Sequence, residues 1–235
     1  EMCIRDSFAF AKIDIKDGFW RMMVSQADAW NFCYVMPSTA PVNDIDDIEL
    51  VVPSSLQMGW CESPPYFCAA TETARDIIEN LLTSNAPCPS HHFETKMLEN
   101  SDTWDRLQAA AFTTNLLEVF VDDFCAITNN LSREHLTKFS RALILGIHSI
   151  FPPPERSGHT GEDPISQKKM AQGEATWDTT KELLGWLING VNYTIQLQPD
   201  RCTKIVKQTK GILAHKSSPL LAFQKVAGKL QHASF

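Results

Sequence analysis

Between Leu117 and Ile127 the chain runs Leu-Glu-Val-Phe-Val-Asp-Asp-Phe-Cys-Ala-Ile, an apolar stretch interrupted by two adjacent carboxylates. Period-2 alternation puts Val119 and Val121 on one strand face and Phe120 and Asp122 on the other, and apolar residues resume directly after Asp123. The pattern predicts a β-hairpin with acids at its tip. A second strand is predicted over Phe8 to Ile15, where Ile13 and Ile15 point one way and Asp14 the other, between Lys12 and Lys16. Gly18 breaks that strand ahead of Phe19 and Trp20.

Helical spacing follows elsewhere. Ser63 is placed as an N-cap with Pro64 in the first turn, and Phe67, Ala70, Ala74, Ile77, Ile78 and Leu81 recur on one face. Ser132 is predicted to cap a helix whose stripe of Leu136, Phe139, Leu143 and Ile147 is core, ended by Phe151-Pro152-Pro153-Pro154. Two helices close the chain: one from Asp200 with Ile205, Val206, Ile212 and Leu213 inward, another with Ser218 as cap and Pro219 in its first turn. Between these elements lie a mostly polar insert around Ser38 to Ser55, with Asp44, Asp46, Asp47 and Glu49 as a solvated turn, and a loop-like region from Thr83 to about Asp105. A Gly- and Pro-containing loop leads to Lys168, and no segment repeats. Strand, helix and hairpin in this order predict an α+β fold with an antiparallel sheet packed on helices, not a parallel doubly wound sheet.

The 235 residues are 43% hydrophobic, enough for a substantial core in one large domain or two modest ones. No apolar run approaches the roughly 20 residues of a membrane span, and no secretory signal is visible. Seven cysteines, Cys3, Cys33, Cys61, Cys68, Cys88, Cys125 and Cys202, show no C-x-x-C pairing and read as reduced thiols of a cytoplasmic or nuclear protein. His91 and His92 near Cys88 lack a second ligand pair and read as a polar loop.

The formal net charge is −7, against the cationic balance that phosphate binding favours. Its distribution is uneven. Residues 1–117 carry 7 Lys+Arg against 17 Asp+Glu, and residues 118–235 carry 14 against 11. Residues 201–235 hold Arg201, Lys204, Lys207, Lys210, Lys216, Lys225 and Lys229 and no acid, a patch suited to a duplex backbone. The carboxylates of the hairpin repel each other unless a cation neutralises them, which makes a divalent metal their natural partner. Asp-Asp is also a good former of solvated turns, and the hairpin alone leaves both readings open.

Three blocks in order carry a family resemblance: Phe8 to Trp20 around Asp14, Leu56-Gln57-Met58-Gly59-Trp60-Cys61-Glu62-Ser63-Pro64, and Phe120-Val121-Asp122-Asp123. Together they resemble the palm of reverse transcriptases of retrotransposons and retroviruses. Ile165-Ser166-Gln167-Lys168-Lys169 resembles the lysine-bearing motif of that family, and Glu182-Leu183-Leu184-Gly185-Trp186-Leu187-Ile188 its primer-grip hairpin. Leu197 to Cys202 and Phe223 to Leu230 are similar to the start of the thumb. Met58 stands where retroviral members carry Gln, and Phe120 where Tyr is usual.

The resemblance, spanning about residues 8 to 235, implies palm at 8–21 and 63–196, a partial, fingers-like insertion at 22–62 and the beginning of a helical thumb at 197–235. It implies an RNA-directed DNA polymerase working with two Mg²⁺ ions about 3.5 to 4 Å apart, or with Mn²⁺ in their place. Asp14 and Asp122 would hold both ions, Asp123 would support them beside the primer end, and the Ile15 carbonyl would add an oxygen. Lys169, with Lys168 as the alternative, would neutralise the leaving pyrophosphate. Phe19 would exclude a 2′-hydroxyl, with a plain core aromatic as the alternative; Met58 would stand at the incoming nucleotide, and Gly59 would let backbone approach the nucleotide or the template closely. Gly185 and Trp186 would position the primer, and Lys204, Lys207 and Lys210 would meet its phosphates. The implied partners are an RNA or DNA primer-template, deoxynucleoside triphosphates and the rest of a retroelement polyprotein. Family fingers begin well before the first catalytic Asp, whereas seven residues precede Phe8 and Glu1 to Ser7 fit no motif, so a fragment is expected, inactive by itself. The competing expectation is an inactive or captured fragment that only binds nucleic acid. A two-metal nuclease would use the same acids but leaves Phe19 and the Gly59 to Pro64 block unexplained.

Overall fold

The computed structural model describes residues 7–37, 44–84, 86–101, 104, 112–154, 161–215 and 217–233. Most of Glu1 to Ser7, Cys3, Lys216 and parts of the expected insert and loop lie outside them. The fold is α+β with small antiparallel sheets. β1 (Ala9–Asp14) is one edge of a three-stranded sheet in the order β1-β5-β4, and β4 (Asn115–Phe120) and β5 (Asp123–Thr128) are the expected hairpin. Phe120 pairs with Asp123, which leaves Val121 and Asp122 as a two-residue turn. Val121 therefore does not continue the face of Val119, as the alternation suggested; it turns the chain at φ +58°.

One face of this sheet is apolar because period 2 places Ala9, Ala11 and Ile13 of β1 beside Phe124 and Ala126 of β5 and Leu117 of β4. It packs on α1 (Ser63–Thr83) and α3 (Arg133–Ile150), which run antiparallel: Lys138 caps the end of α1 by donating to the Leu82 and Ser84 carbonyls at 2.8 Å, while Gly146 lies on Ala74 and Ile78. Ser132 caps α3 as expected and the Leu136, Phe139, Leu143 and Ile147 stripe is fully buried. Ser63 does not cap α1. It is the first helical residue, and its hydroxyl donates to the Gln57 carbonyl at 2.7 Å, while Pro64 and Pro65 occupy the start where missing amides cost nothing.

The region expected as loop after Thr83 contains α2 (His92–Met97), and His91 and His92 belong to it. His91 Nδ1 accepts from the Phe93 amide and Glu94 reaches back to the His91 amide, a reciprocal cap that no Ser, Thr or Asp announced. Arg141 of α3 grips Glu94 with two hydrogen bonds of 2.6 and 3.0 Å. The insert also carries regular structure, with Asp44, Asp46, Asp47 and Glu49 exposed as expected. β2 (Tyr34–Val35) and β3 (Leu50–Val51) form a two-stranded sheet, and Asp44 caps a single 3₁₀ turn, Ile45–Asp47, with Ile45, Leu50 and Val52 exposed around it.

After the helix α4 (Gln167–Ala171), the outer edge of β1 is covered by residues 174–178: Lys12 N donates to Glu174 O at 3.1 Å, and Phe10 and Asp178 exchange bonds of 2.8 and 3.0 Å. β6 (Thr180–Leu183), β7 (Trp186–Asn189) and β8 (Thr194–Leu197) then form a second antiparallel sheet. α5 (Pro199–Leu213) and α6 (Leu220–Ala233) close the chain as a pair. The inward face expected for α5 holds only in part. Ile205 and Ile212 are half-buried, but Val206 and Leu213 are exposed, because Val226 of α6 is the only buried residue of the two helices among those described. Among the described residues no helix is long and apolar enough to cross a membrane, and Cys33, Cys61, Cys68, Cys88, Cys125 and Cys202 are free thiols.

Candidate metal centre

The site forms where β1 ends against the β4–β5 turn. Asp14, the last residue of β1, pairs in register with Asp123, the first of β5, and the Ile15 amide donates to the Asp122 carbonyl at 3.0 Å. One oxygen from each of Asp14, Asp122 and Asp123 can be chosen so that all three lie within 4.8 Å of one another. The turn that delivers Asp122 has positive φ at its first central residue, a conformation that normally selects Gly, yet it is occupied by Val121 at φ +58°. A β-branched residue in that region is a genuine outlier, and strain of this sort persists only where surrounding structure over-determines it.

Burial of Asp14 raises its pKa above the ordinary carboxylate value; Lys169 pulls it down and the charges of Asp122 and Asp123 add to the rise. Lys169 projects from α4 and its ammonium hydrogen-bonds Asp14 Oδ1. Burial opposes that ammonium, but the bond and charge of Asp14 outweigh it and its pKa lies above the usual lysine value. α4 is held in place by Ser166, whose hydroxyl caps it through the Lys169 amide and whose own amide donates to the Asp14 carbonyl at 3.0 Å. Lys168 is exposed on the same short helix, and Lys169 is the lysine that bonds Asp14. The loop before Ser166 is tied to the turn after β1: Arg21 donates to the Lys16, Glu162 and Asp163 carbonyls, and Lys16 pairs with Glu162.

A second ammonium stands on the other side. Lys12, on the same face of β1 as Asp14, lies 3.4 Å from Asp123 Oδ1 and 3.0 Å from Glu174 Oε2. Both of those oxygens are buried and lack an aligned hydrogen bond, so the contacts are ion pairs only. Burial disfavours the Lys12 charge, yet Glu174 and Asp123 together raise its pKa. Next to it, burial pushes the Cys125 thiol up to about 11.

Three carboxylates with a buried oxygen free of any hydrogen bond are a hard-oxygen donor set, and they fit a divalent cation such as Mg²⁺ or Mn²⁺. Their formal charge with Glu174 is −4, and Lys12 and Lys169 return +2. The cluster could hold a metal ion.

The remaining candidates are not members of this cluster. Ile15 is buried beside Asp14. Phe19 sits in the 3₁₀ turn Gly18–Arg21 with its ring 5.0 Å from that of Phe67, at the edge of the main core. Met58 is 72% exposed and Gly59 has φ +99° in open space. Gly185 closes the β6–β7 turn with Leu184, both at positive φ, and a Cβ there would lie 2.0 Å from Arg201 Nη1. Trp186 meets His232 of α6 at 5.8 Å. A cleft of about 360 Å³ runs from Lys12 and Glu174 past Lys181 to Gly185 and Arg201, so the hairpin adjoins the Lys12 side of the centre. Lys204, Lys207 and Lys210 are exposed along α5. Sequence reasoning missed the roles of Lys12, Ser166, Arg21 and Glu174. Only Lys12 carried a readable signal, its period-2 spacing from Asp14.

No family model and no curated protein matches the chain.

Proposed function

We propose that the chain is the palm and the start of the thumb of a retroelement RNA-directed DNA polymerase, with Asp14, Asp122 and Asp123 as ligands of two Mg²⁺ ions or of Mn²⁺. The observation that carries this reading is the convergence of three carboxylates from two separate segments onto one turn, with oxygens within 4.8 Å. Residues 8–21 and 63–196 then serve as palm, 22–62 as a fingers-like insertion and 197–235 as thumb. Bound ions would stabilise the attacking and leaving oxygens of nucleotidyl transfer. The chain's own groups do the rest. Asp123 lies on the primer side, and Lys169 holds a proton at Nζ beside Asp14, ready to neutralise pyrophosphate. Phe19 limits space beneath the sugar, Met58 and Gly59 face the nucleotide, and Gly185 and Trp186 steady the primer.

The test is primer extension on an RNA template with Mg²⁺ and deoxynucleoside triphosphates, run with this chain and with its reading frame continued upstream of Phe8. Extension is expected with the longer protein, and Asp14→Asn or Asp122→Asn should reduce it far more than tenfold, which is only about 1.4 kcal/mol of barrier. No extension by either protein with Mg²⁺ or Mn²⁺ removes the polymerase reading.

A second reading, binding without catalysis, is favoured by the exposed cations of α5. Affinity for a primer-template should then fall with salt at a log-log slope of about 0.9 per phosphate neutralised, and changing Lys204, Lys207 and Lys210 to Gln should lower that slope. Salt-insensitive binding would take α5 out of phosphate contact.

A further inference from the structure

We propose that Lys12 is a positioning residue that attenuates cation binding at the carboxylate cluster, because its ammonium is strung between Asp123 and Glu174 and competes with a metal for the charge of Asp123. The inference rests on the metal reading given above. Its geometry is independent of that reading. Lys12 is fixed at both ends of its residue: the backbone amide donates to the Glu174 carbonyl at 3.1 Å, and the side chain reaches the Glu174 carboxylate at 3.0 Å and Asp123 Oδ1 at 3.4 Å. Strand register makes this placement unavoidable, since Lys12 and Asp14 share one face of β1 and Asp14 pairs with Asp123 across the ladder.

Lys12 therefore divides its charge between an acid inside the cluster and one outside it. Glu174 Oε2 and Asp123 Oδ1 are both buried and lack an aligned hydrogen bond, and Lys12 is the ammonium that contacts them both, with Lys169 and Lys181 acting on Asp123 and Glu174 through charge alone. A positive charge a few ångströms from a cation site opposes the cation directly. Removing it leaves two buried acid oxygens without the ammonium that both contact, an excess of negative charge that a divalent ion would relieve. Both effects have the same sign, so loss of Lys12 should tighten binding. Loss of Glu174 should loosen it, since Lys12 is then left to Asp123 alone and one acid is gone.

The experiment is a calorimetric titration of the full chain with MnCl₂ at fixed ionic strength, for the wild type, Lys12→Gln, Lys12→Arg, Glu174→Gln and Asp14→Asn. Lys12→Gln is expected to bind Mn²⁺ about tenfold more tightly, equivalent to about 1.4 kcal/mol. Lys12→Arg, which keeps the charge, should stay close to the wild type, and Glu174→Gln should bind more weakly. A merely structural lysine would give looser binding or none when neutralised. Unchanged or weaker binding by Lys12→Gln, with Asp14→Asn still abolishing it, overturns the role of Lys12 and leaves the metal centre standing. Absence of Mn²⁺ binding in both the wild type and Lys12→Gln overturns both. If Lys12→Gln does not fold, Glu174→Gln decides: binding as tight as the wild type or tighter overturns the proposal.

Discussion

Replacing Asp14 by Asn should make the metal-free protein more stable while destroying its capacity to bind a divalent ion. The two carboxylates facing Asp14 have oxygens within 4.8 Å of it. At an effective dielectric of about 20 each repels it by about 3.5 kcal/mol, roughly 7 kcal/mol together, and an ammonium at hydrogen-bond range recovers about 5 kcal/mol. The remaining deficit of about 2 kcal/mol, together with the cost of burying the charge, disappears in Asn. Lys169 stays hydrated, since 38% of its side chain is exposed. A net gain of about 1 to 2 kcal/mol should raise the melting temperature by about 2–4 °C per kcal/mol for a chain of this size. The assay is thermal and urea unfolding in EDTA and then in saturating Mn²⁺. At a hundred times Kd the wild type should gain about 2.7 kcal/mol and the variant nothing, so the order of stability reverses on adding metal. The pH dependence has a fixed sign. Asp14 has a raised pKa in the folded protein, so its contribution is full below the ordinary carboxylate value and is lost as pH rises through the raised one. The two proteins should converge near pH 3 and separate towards neutrality. An Asn variant less stable than the wild type in EDTA by 1 kcal/mol or more would refute the reasoning and make Asp14 a structural ion-pair partner.

Three further outcomes follow from other parts of the fold. Gly146→Ala gains about 1 kcal/mol of helix propensity, but its Cβ would stand 2.3 Å from Ile78 Cγ1 and 3.2 Å from the Ala74 carbonyl; a net loss of about 1 to 2 kcal/mol in urea unfolding is expected, with strong non-additivity when Ile78→Ala is combined. Glu94 is held below its ordinary pKa first by its hydrogen bond to Arg141, so this pair contributes above the ordinary glutamate value and is lost as pH falls through the lowered one; Arg141→Gln should cost up to about 1 kcal/mol at pH 7 and progressively less in acid, and a pH-independent cost would contradict this. Under the proposed polymerase reading, Phe19→Ala should raise ribonucleotide use relative to deoxynucleotide use in single-nucleotide incorporation; an unchanged ratio leaves Phe19 as the packing partner of Phe67 alone.

What could be read from sequence was what short-range periodicity encodes. The β4–β5 hairpin, the β1 strand and the α1 and α3 stripes all follow from spacings of 2 or 3.6 residues, and each buries the face that its pattern names. The α2 cap was illegible because a histidine ring nitrogen fills the place usually taken by a hydroxyl or carboxylate. The Lys12, Asp123 and Glu174 network joins three distant segments, and Glu174 reaches the site only because its own segment pairs with β1. Val121 misled for a local reason: alternation cannot show where a strand turns when no Gly or Asn marks the turn. α5 misled in the opposite direction, since an amphipathic pattern states which face prefers burial and not whether a neighbour covers it.

Cys125 gives the sheet a clock. Its thiol is buried on β5 between the Asp123 and Lys12 side of the centre and the Leu183 cluster, with an ionisation pushed up to about 11, so an alkylating reagent at neutral pH meets almost no thiolate and little exposed surface. Cys61 and Cys202 are exposed and should react at once. Slow labelling of Cys125 then counts the moments at which β5 parts from its neighbours, and the rate under native conditions yields the free energy of that local opening. Cations that bridge β1 to the β4–β5 turn would slow this clock, which turns one unreactive cysteine into a direct gauge of how tightly the site is closed.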